Sequence, residues 1–374
     1  MPDAKRIYAR FTGPEIFLEQ GRLLYSLLHV FVREGYRIDL FDWLGEKPLE
    51  KYGQMIHGLD SLRLVHAAPA DPAQQWYLYD RTVPELAALP WRKRLQVRFD
   101  LFSPFWRENP IIMPFPMHPM QSGLTGEDLV ALRQSERRMR VFFSGDTEHY
   151  HRVWIRYPRT KLPRERIVQA AIGGLGEEAV LVHDAAELAE RLAQGYTQKC
   201  VFTASSQVRI EFADWLPTLA KADFFLSPPG IVMPMCHNII EAMAVGTIPI
   251  TNYPEWLDPP LRHGRECLAF DDEADLVAQL RLALTMDPAL IEALRRGVID
   301  YYERHLRPDG FVRRVEASTE AVQPILMYTE RNVALHAKRL GRTSVLMQGT
   351  NRPQGVVQRW LAAWRNDVES RVRG

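Results

Sequence analysis

The residues best suited to chemistry lie together between Ala222 and Thr251. His237 and Asn238 stand just before a predicted helix, and Glu241 lies one turn inside it. Free N–H groups at the start of a helix attract anions, and a carboxylate can accept two hydrogen bonds from a vicinal diol. This segment therefore has the groups of a site for an anionic, hydroxyl-rich ligand.

The elements around these residues must place them at one edge of a parallel sheet. The apolar residues 224–226 predict a buried strand, the turn from Ser227 to Gly230 follows it, and residues 248–250 predict the next strand. Strand, loop, helix and strand make one βαβ unit, and parallel sheets bind ligands at the carboxyl ends of their strands. We expect Ser227 and Gly230 to lie at that edge.

Predicted strands and helices alternate over both halves of the 374-residue chain. This length suits two domains, each large enough to bury its own sheet. The predicted fold class is α/β, with two doubly wound, Rossmann-like domains facing each other across a cleft. We expect an N-terminal domain over residues 1–125, a C-terminal domain over 126–330, and a helical tail over 331–374.

Composition excludes several classes of protein. A net charge of +1 argues against a dedicated nucleic-acid binder. Cys200, Cys236 and Cys267 form no CxxC pair, so neither a disulfide framework nor a zinc site is predicted. The first strand lacks a G-x-G-x-x-G loop, which argues against a dinucleotide cofactor. With no secretory signal and no membrane-spanning run, we expect a cytoplasmic protein.

The stretch Asn238–Ile250, NIIEAMAVGTIPI, resembles the donor-site signature of glycosyltransferases with two facing nucleotide-fold domains, the GT-B architecture. In many such families this helix supplies a glutamate to the ribose hydroxyls of a nucleotide-sugar, and Glu241 is the matching position. His237 and Asn238 then face the donor as well. The alternatives are a surface glutamate paired to a cation, a packed histidine and an asparagine that caps the helix.

One position departs from that signature. Many relatives carry a second glutamate, which contacts the donor sugar, where this chain has Met233. The loop from Ser227 to Asn238 is more similar to exostosin-type and bacterial polysaccharide transferases, in which small polar groups such as Ser227 and Gly230 serve instead. The resemblance therefore implies the nucleotide end of a donor site and leaves the sugar open.

A second polar loop, Ser144-Gly145-Asp146, follows the predicted strand 140–143. In the GT-B architecture this loop approaches the donor pyrophosphate, whereas the alternative is a strand-ending turn closed by the aspartate. His149 and His151 have no third ligand in frame, so no metal site is predicted. The candidates for a catalytic base are Asp146, Glu148 and His149.

Cations near these loops could stabilise a departing phosphate without a metal ion, as metal-independent transferases do with Arg, Lys and helix dipoles. The alternative for each of them is a solvated basic loop. The candidates are Arg156, Lys161 and Arg209.

On the acceptor side, residues 13–21, including Gly13 and Glu19, occupy the family's first strand-to-helix loop. His118 precedes a proline in MPFPMHPM, and this pair is similar to a motif that some sialyl- and Kdo-transferases use against a cytidine monophosphate. The alternative for His118 is a turn histidine packed among methionines.

The resemblance implies a metal-independent glycosyltransferase that moves a sugar from a nucleotide-sugar to a glycan or lipid-linked acceptor in bacterial polysaccharide biosynthesis. The nucleotide-sugar is a substrate, and no cofactor is implied. Two alternatives stay open: a nucleotide-sugar 2-epimerase, and a catalytically silent scaffold in a glycan assembly complex.

The C-terminal tail has two interpretations. Residues 353–374 predict a basic helix with Trp360 and Trp364 along one side. Such a helix can rest on the anionic inner face of a membrane, or it can bury its tryptophans against the N-terminal domain. We expect packing on the N-terminal domain.

Overall fold

The computed structural model describes residues 5–41, 51–103, 109–147, 162–230, 233–330, 332 and 344–348. Two compact units are present. The first domain contains the described residues up to Pro114 and those from Arg307 onward. The second domain runs from Phe115 to Leu306.

The strands are β1 (Arg6–Arg10), β2 (Arg37–Phe41), β3 (Leu62–Val65), β4 (Trp76–Tyr79), β5 (Lys93–Arg98), β6 (Ile111–Ile112), β7 (Met139–Gly145), β8 (Ala179–Val182), β9 (Thr197–Ala204), β10 (Ala222–Leu226), β11 (Ile248–Thr251), β12 (Leu268–Ala269) and β13 (Val322–Leu326). The helices are α1 (Arg22–Arg33), α2 (Lys51–His57), α3 (Pro84–Ala87), α4 (Gly126–Arg133), α5 (Arg164–Leu175), α6 (Ala185–Ala193), α7 (Phe212–Leu219), α8 (His237–Ala244), α9 (Glu273–Thr285), α10 (Pro288–Tyr301), α11 (Pro308–Ala317) and α12 (Val345–Gln348). None of the described helices is both long and apolar enough to cross a membrane.

The sheet of the first domain is parallel throughout, with the strand order β3-β2-β1-β4-β5-β13-β6. Successive side chains of a strand point to opposite faces. Ile7 and Ala9 of β1 therefore join the main apolar core, while Tyr8 joins an aromatic cluster with Tyr77 and Trp91. Both faces of this sheet are covered, as parallel sheets require.

The sheet of the second domain is also parallel throughout, with the order β12-β11-β10-β7-β9-β8. Its central strand β10 is buried along its whole length, which explains the continuous apolar run Phe224-Phe225-Leu226. Two parallel, Rossmann-like α/β domains confirm the predicted fold class.

The domain boundaries differ from those expected at residues 125 and 330. The first crossing lies at Pro114–Phe115 and the return at Leu306–Arg307. The reason is β13, which pairs with β5 and β6 inside the first sheet. A short strand that completes a sheet begun elsewhere in the chain has no local signature, so sequence order alone assigned it to the wrong domain.

Of the predicted tail, the part that the structure describes includes the short helix α12. The backbone N–H of Leu346 donates to the carbonyl of Leu101 at 3.1 Å, within the first domain. The predicted basic helix over 353–374 lies outside the described residues.

A left-handed turn precedes the first helix. Glu19, Gln20 and Gly21 have φ angles of +56°, +59° and +85°. Side chains at left-handed positions are disfavoured in a right-handed helix, so α1 starts only at Arg22.

Each sheet has one switch point, where the chain changes the side on which it adds strands. In the first sheet β2 and β3 lie on one side of β1 and β4 on the other, so the switch point lies between β1 and β4. In the second sheet it lies between β7 and β10. Ligands of doubly wound folds bind outside the carboxyl ends of such a strand pair.

Candidate functional site

The switch point of the second sheet brings together two of the loops predicted from sequence. Gly145 is the last residue of β7, and its carbonyl accepts a hydrogen bond from the N–H of Ser205 at 3.1 Å. Asp146 follows with a half-buried side chain. Ser227 and Gly230 follow β10, which pairs directly with β7. The two loops thus share one sheet edge.

Arg164, which the sequence analysis did not single out, lies at this edge. It is the first residue of α5 and only 6% exposed, and its Nη1 donates to the carbonyl of Asp146 at 3.3 Å. A Cβ atom placed on Gly145 would lie 3.3 Å from that Nη1. The side chain belongs to the basic, proline-rich stretch that supplied Arg156 and Lys161. Burial distinguishes Arg164 from the other cations of that stretch, and no sequence pattern predicts the burial of one particular arginine.

Tyr253 packs against the residue that follows β10. Ser227 is buried, and its Oγ lies 3.0 Å from the Tyr253 hydroxyl. Burial raises the pKa of Tyr253, the neighbouring Cys236 raises it further, and Arg164 lowers it. Tyr253 thus lies within the electrostatic influence of both Arg164 and the residue before α8. Ser227 in this conformation supports the loop from within.

The loop after Ser227 curls back on itself at Gly230. The N–H of Gly230 donates to the carbonyl of Pro234 at 3.1 Å, and a Cβ atom there would lie 2.7 Å from the Met233 carbonyl oxygen. Only glycine fits this approach without a shift of backbone. The Met233 side chain is buried at 3% exposure.

The start of α8 has no side-chain cap. Its N-cap residue is Cys236, whose side chain makes no capping hydrogen bond, and His237 is the first helical residue. Asn238 lies inside the helix, so it does not cap the helix, and that alternative is wrong. Backbone N–H groups in the first turn of a helix carry partial positive charge and attract anions.

Glu241 is completely buried, with an exposure of 0%. Its Oε1 accepts the backbone N–H of His118 at 2.8 Å, and its Oε2 accepts the indole N–H of Trp215 at 2.6 Å. Burial raises the pKa of Glu241 to about 7, although both hydrogen bonds lower it. Neither carboxylate oxygen is exposed to a ribose in this conformation, so contact with the donor stays a prediction.

His118 requires a correction, because it was expected on the acceptor side. It belongs to the second domain. Its ring stacks on Phe212, with centroids 4.5 Å apart and planes inclined by 20°, and it meets the ring of His237 edge-on at 5.1 Å. His118 therefore lies beside the start of α8 instead of in the first domain.

The remaining predicted cation of the described residues, Arg209, is a solvated side chain. It is 82% exposed and pairs with Glu211 at 2.9 Å. Four other predicted residues lie outside the described part of the chain: Glu148, His149, Arg156 and Lys161. Among the described residues, no group of three or more His, Cys, Asp and Glu side chains could hold a metal ion.

The corresponding edge of the first domain is filled by a carboxylate. Asp80, directly after β4, accepts the N–H groups of Thr12 at 2.9 Å and Gly13 at 2.6 Å. It also accepts the N–H of Arg81 at 2.7 Å. The backbone amides after β1, which could bind a phosphate, are thus already bound to an internal anion. Contact of Gly13 with an acceptor stays a prediction.

Glu19, the other residue predicted on the acceptor side, forms an ion pair with Arg22 at the start of α1. Its second oxygen, Oε1, is buried without a hydrogen-bond partner among the described residues. This carboxylate balances an arginine in the turn before the helix, and its contact with an acceptor also stays a prediction.

No protein-family model matches this sequence, and comparison with curated proteins gives no match. Among solved structures, the chain is similar to Alr3699/HepE of Anabaena in complex with UDP, with a TM-score of 0.44 and 10% identity over 83% of this chain and 98% of that chain. It is also similar to a glycosyltransferase from Rickettsia africae, with a TM-score of 0.45 and 9% identity over 84% and 97% of the two chains. For WaaG, a glycosyltransferase involved in lipopolysaccharide biosynthesis, the TM-score is 0.36 and the identity 13%, over 84% and 99%.

Glycosyltransferases are therefore among the structures to which this chain is similar. Likeness at these TM-scores is too distant to transfer an activity. The fold class rests on the strand orders of the two sheets, and the site rests on the residues at the edge of the second sheet.

Proposed function

We propose that this protein is a glycosyltransferase whose nucleotide-sugar donor binds at the carboxyl ends of β7 and β10. The observation that carries the proposal is the positive character of this edge: the buried guanidinium of Arg164 lies at the end of β7, and the uncapped start of α8 follows the loop after β10. Both features favour a diphosphate. The first domain offers no equivalent, because Asp80 fills its switch point.

The same groups suit the chemistry of transfer. The acceptor hydroxyl oxygen bonds to the anomeric carbon while the bond from that carbon to the phosphate oxygen breaks. Negative charge grows on the leaving nucleoside diphosphate, and a fixed guanidinium and a helix start stabilise charge at that point. In an inverting reaction a base takes the proton of the acceptor hydroxyl. Asp146, which follows β7 with a half-buried side chain, is our candidate for that role among the described residues.

The finer parts of the proposal are transfer without a metal ion and an acceptor that is a glycan or lipid-linked glycan of bacterial polysaccharide assembly. Arg164 supports the first part, since a fixed cation at the phosphate edge performs the neutralisation that Mg²⁺ performs elsewhere. The resemblance of the loop 227–238 to polysaccharide transferases supports the second.

Thermal-shift measurement with UDP-, GDP-, CMP- and ADP-sugars tests the proposal first. A ligand at about 100 times its dissociation constant stabilises the native state by roughly 2.7 kcal/mol, which gives a clear rise in melting temperature. Product analysis in the presence of EDTA then follows the sugar of the donor that binds.

Transfer to an added glycan in EDTA supports the full proposal. A sugar epimerised at C2 without acceptor, whether still bound to the nucleotide or released by water, would point to the 2-epimerase instead. No melting shift with any of the four donor classes would contradict the donor site and favour a scaffold.

A further inference from the structure

We propose that the first domain has a ligand site of its own, a charged pocket that binds a phosphorylated sugar. The pocket lies at the amino ends of β1, β2 and β3 and has a volume of about 360 Å³. The loop predicted to face the acceptor follows the opposite, carboxyl end of β1, so this is a separate site and does not rest on the proposed function. Six of its lining residues are polar: Arg6, Arg37, Asp39, Asp60, Ser61 and Arg63.

Three guanidinium groups reach this pocket from neighbouring strands. Arg6 opens β1 and Arg37 opens β2, and the two residues are direct partners in the parallel register. Such partners lie about 4.8 Å apart and have their side chains on the same face of the sheet. Arg63 of β3 is the partner of Asp39, two residues further along β2, so it lies on this face as well. The amino end of the face is therefore basic.

Two of the three arginines have no internal counter-charge. Arg63 has one, because its Nε and Nη2 donate to the two carboxylate oxygens of Asp39 at 2.9 and 3.0 Å. Within the part of the chain that the structure describes, neither Arg6 nor Arg37 forms an ion pair. Two like charges at facing positions of adjacent strands repel each other. An anion bound between them removes that repulsion.

The chemistry of this cation pair favours a phosphate group. A guanidinium presents a planar fork of N–H donors, which matches two phosphate oxygens at once. Both Arg6 and Arg37 are exposed, so a ligand can reach them from solution. Two adjacent forks on one face of a sheet can hold a single phosphate from two sides.

The other side of the pocket suits hydroxyl groups. Asp60 and Ser61 lie in the turn before β3, and the exposed Asp60 carboxylate forms no ion pair with a described residue. Carboxylate and hydroxyl oxygens accept hydrogen bonds from the hydroxyls of a sugar. The volume is near the lower end of the range for ligand pockets, about 300–1,000 Å³, and so suits one sugar unit. An anionic membrane surface fits less well, because the acidic residues of the pocket repel its headgroups.

Isothermal titration calorimetry on the full-length chain, without nucleotide, tests the site. The probes are the 1-phosphates and the methyl glycoside 6-phosphates of glucose, mannose and N-acetylglucosamine, with the free sugars and inorganic phosphate as matched halves. We expect at least one phosphorylated sugar to bind more tightly than inorganic phosphate, on the order of 10-fold, because hydroxyl contacts add to the phosphate contacts. Tighter binding of a 1-phosphate points to a free metabolite, and tighter binding of a glycoside 6-phosphate points to a phosphorylated glycan.

Substitutions locate the binding in this pocket. Arg37→Gln should weaken the binding of phosphorylated sugar and of inorganic phosphate alike, on the order of 10-fold. Asp60→Asn should weaken the binding of the phosphorylated sugar alone, by about 3-fold. The matched control is Arg313→Gln, which removes an exposed arginine of α11, a helix that packs against the other face of this sheet. Equal losses in Arg37→Gln and Arg313→Gln would reduce the effect to net charge and overturn the site.

Two further results would overturn the assignment. One is that no phosphorylated sugar binds more tightly than inorganic phosphate. The other is binding to phosphatidylglycerol vesicles that Arg37→Gln abolishes, without affinity for any phosphorylated sugar, which would assign the pocket to a lipid surface. The substituted side chains are exposed, so the variants should keep the melting temperature of wild type. Arg6→Gln repeats the test if Arg37→Gln is destabilised.

Discussion

Each of the two domains has its own parallel sheet with a switch point. The groups at the carboxyl edges of these two sheets carry opposite charge. In the first domain the amides after β1 bind the carboxylate of Asp80. In the second domain the end of β7 meets the guanidinium of Arg164 instead. The fold supplies the position in both cases, and under the proposed function one side chain at each edge decides whether an outside anion binds there. The following predictions test this contrast.

The largest effect is expected for Asp80→Ala, which removes the internal anion of the first domain. Three buried or partly buried amides, those of Thr12, Gly13 and Arg81, lose their acceptor, at roughly 1–2 kcal/mol each, so the free energy of unfolding should fall by about 4 kcal/mol. Urea unfolding measures this. Asp100→Ala, which breaks only a surface pair with Arg98, should cost less than about 1 kcal/mol.

Inorganic phosphate adds a check on the same variant. If the amides of Thr12 and Gly13 form an anion site that Asp80 occupies, phosphate should stabilise Asp80→Ala more than wild type. Equal stabilisation of both proteins would contradict the idea that the first domain blocks its own anion site.

The second effect concerns the buried carboxylate of the second domain and its dependence on pH. Burial raises the pKa of Glu241 to about 7, from an ordinary value of 4.5. A raised pKa means that its contribution to stability is fully present below about pH 4.5 and is lost as the pH rises through 7. From the difference between these two pKa values, the free energy of unfolding of wild type should fall by about 3 kcal/mol relative to that of Glu241→Gln as the pH rises from 4.5 to above 7.

Urea unfolding of both proteins between pH 4.5 and pH 8 measures that difference. Parallel pH profiles for wild type and Glu241→Gln would show that the carboxyl is not desolvated.

The third effect is on binding. Arg164→Ala should weaken the affinity for nucleoside diphosphates on the order of 30-fold, since a charge-assisted contact contributes about 2 kcal/mol. Arg166→Ala is the matched control on the same helix, because Arg166 is half-exposed and pairs with Glu273. Equal losses in the two variants would mean a general effect of positive charge and would remove the contrast between the domains.

The smallest effects come from the glycines at the two edges. A Cβ atom on Gly13 would lie 2.5 Å from Asp80 Oδ2, whereas one on Gly145 would lie 3.3 Å from Arg164 Nη1. Gly13→Ala should therefore lower stability by about 1–2 kcal/mol and leave nucleotide affinity unchanged. Gly145→Ala should leave stability unchanged and lower nucleotide affinity by about 3-fold. Urea unfolding and calorimetry on both variants decide the pattern.

Much of the second domain was predictable because its signals are local. The run 224–226 predicted β10, and the glycine and proline turn predicted the loop after it, since a fully buried strand and its turn have distinct compositions. Gly230 shows the limit of that approach. The sequence placed Gly230 at the sheet edge, but it did not predict the close approach of Gly230 to the Met233 carbonyl.

The helix around Glu241 illustrates what a motif can and cannot report. Sequence placed a glutamate one turn inside α8, and the structure has it there. Which groups it contacts depends on His118 and Trp215, residues far away in sequence. A motif specifies the position of a side chain along a helix. The burial and the partners of that side chain follow from how distant segments pack.

By itself, the sequence determined the two-domain α/β class, the positions of β7, β10 and β11 along the chain, and the sheet edge where polar loops collect. Those properties follow from periodicity, turn residues and apolar runs, which act over a few residues. Only the tertiary structure decided that β13 returns to the first sheet, that Asp80 fills one switch point, and that Arg164 is buried at the other. These outcomes depend on contacts between residues far apart in the chain, and charge at a site is set by whichever side chain those contacts bring there.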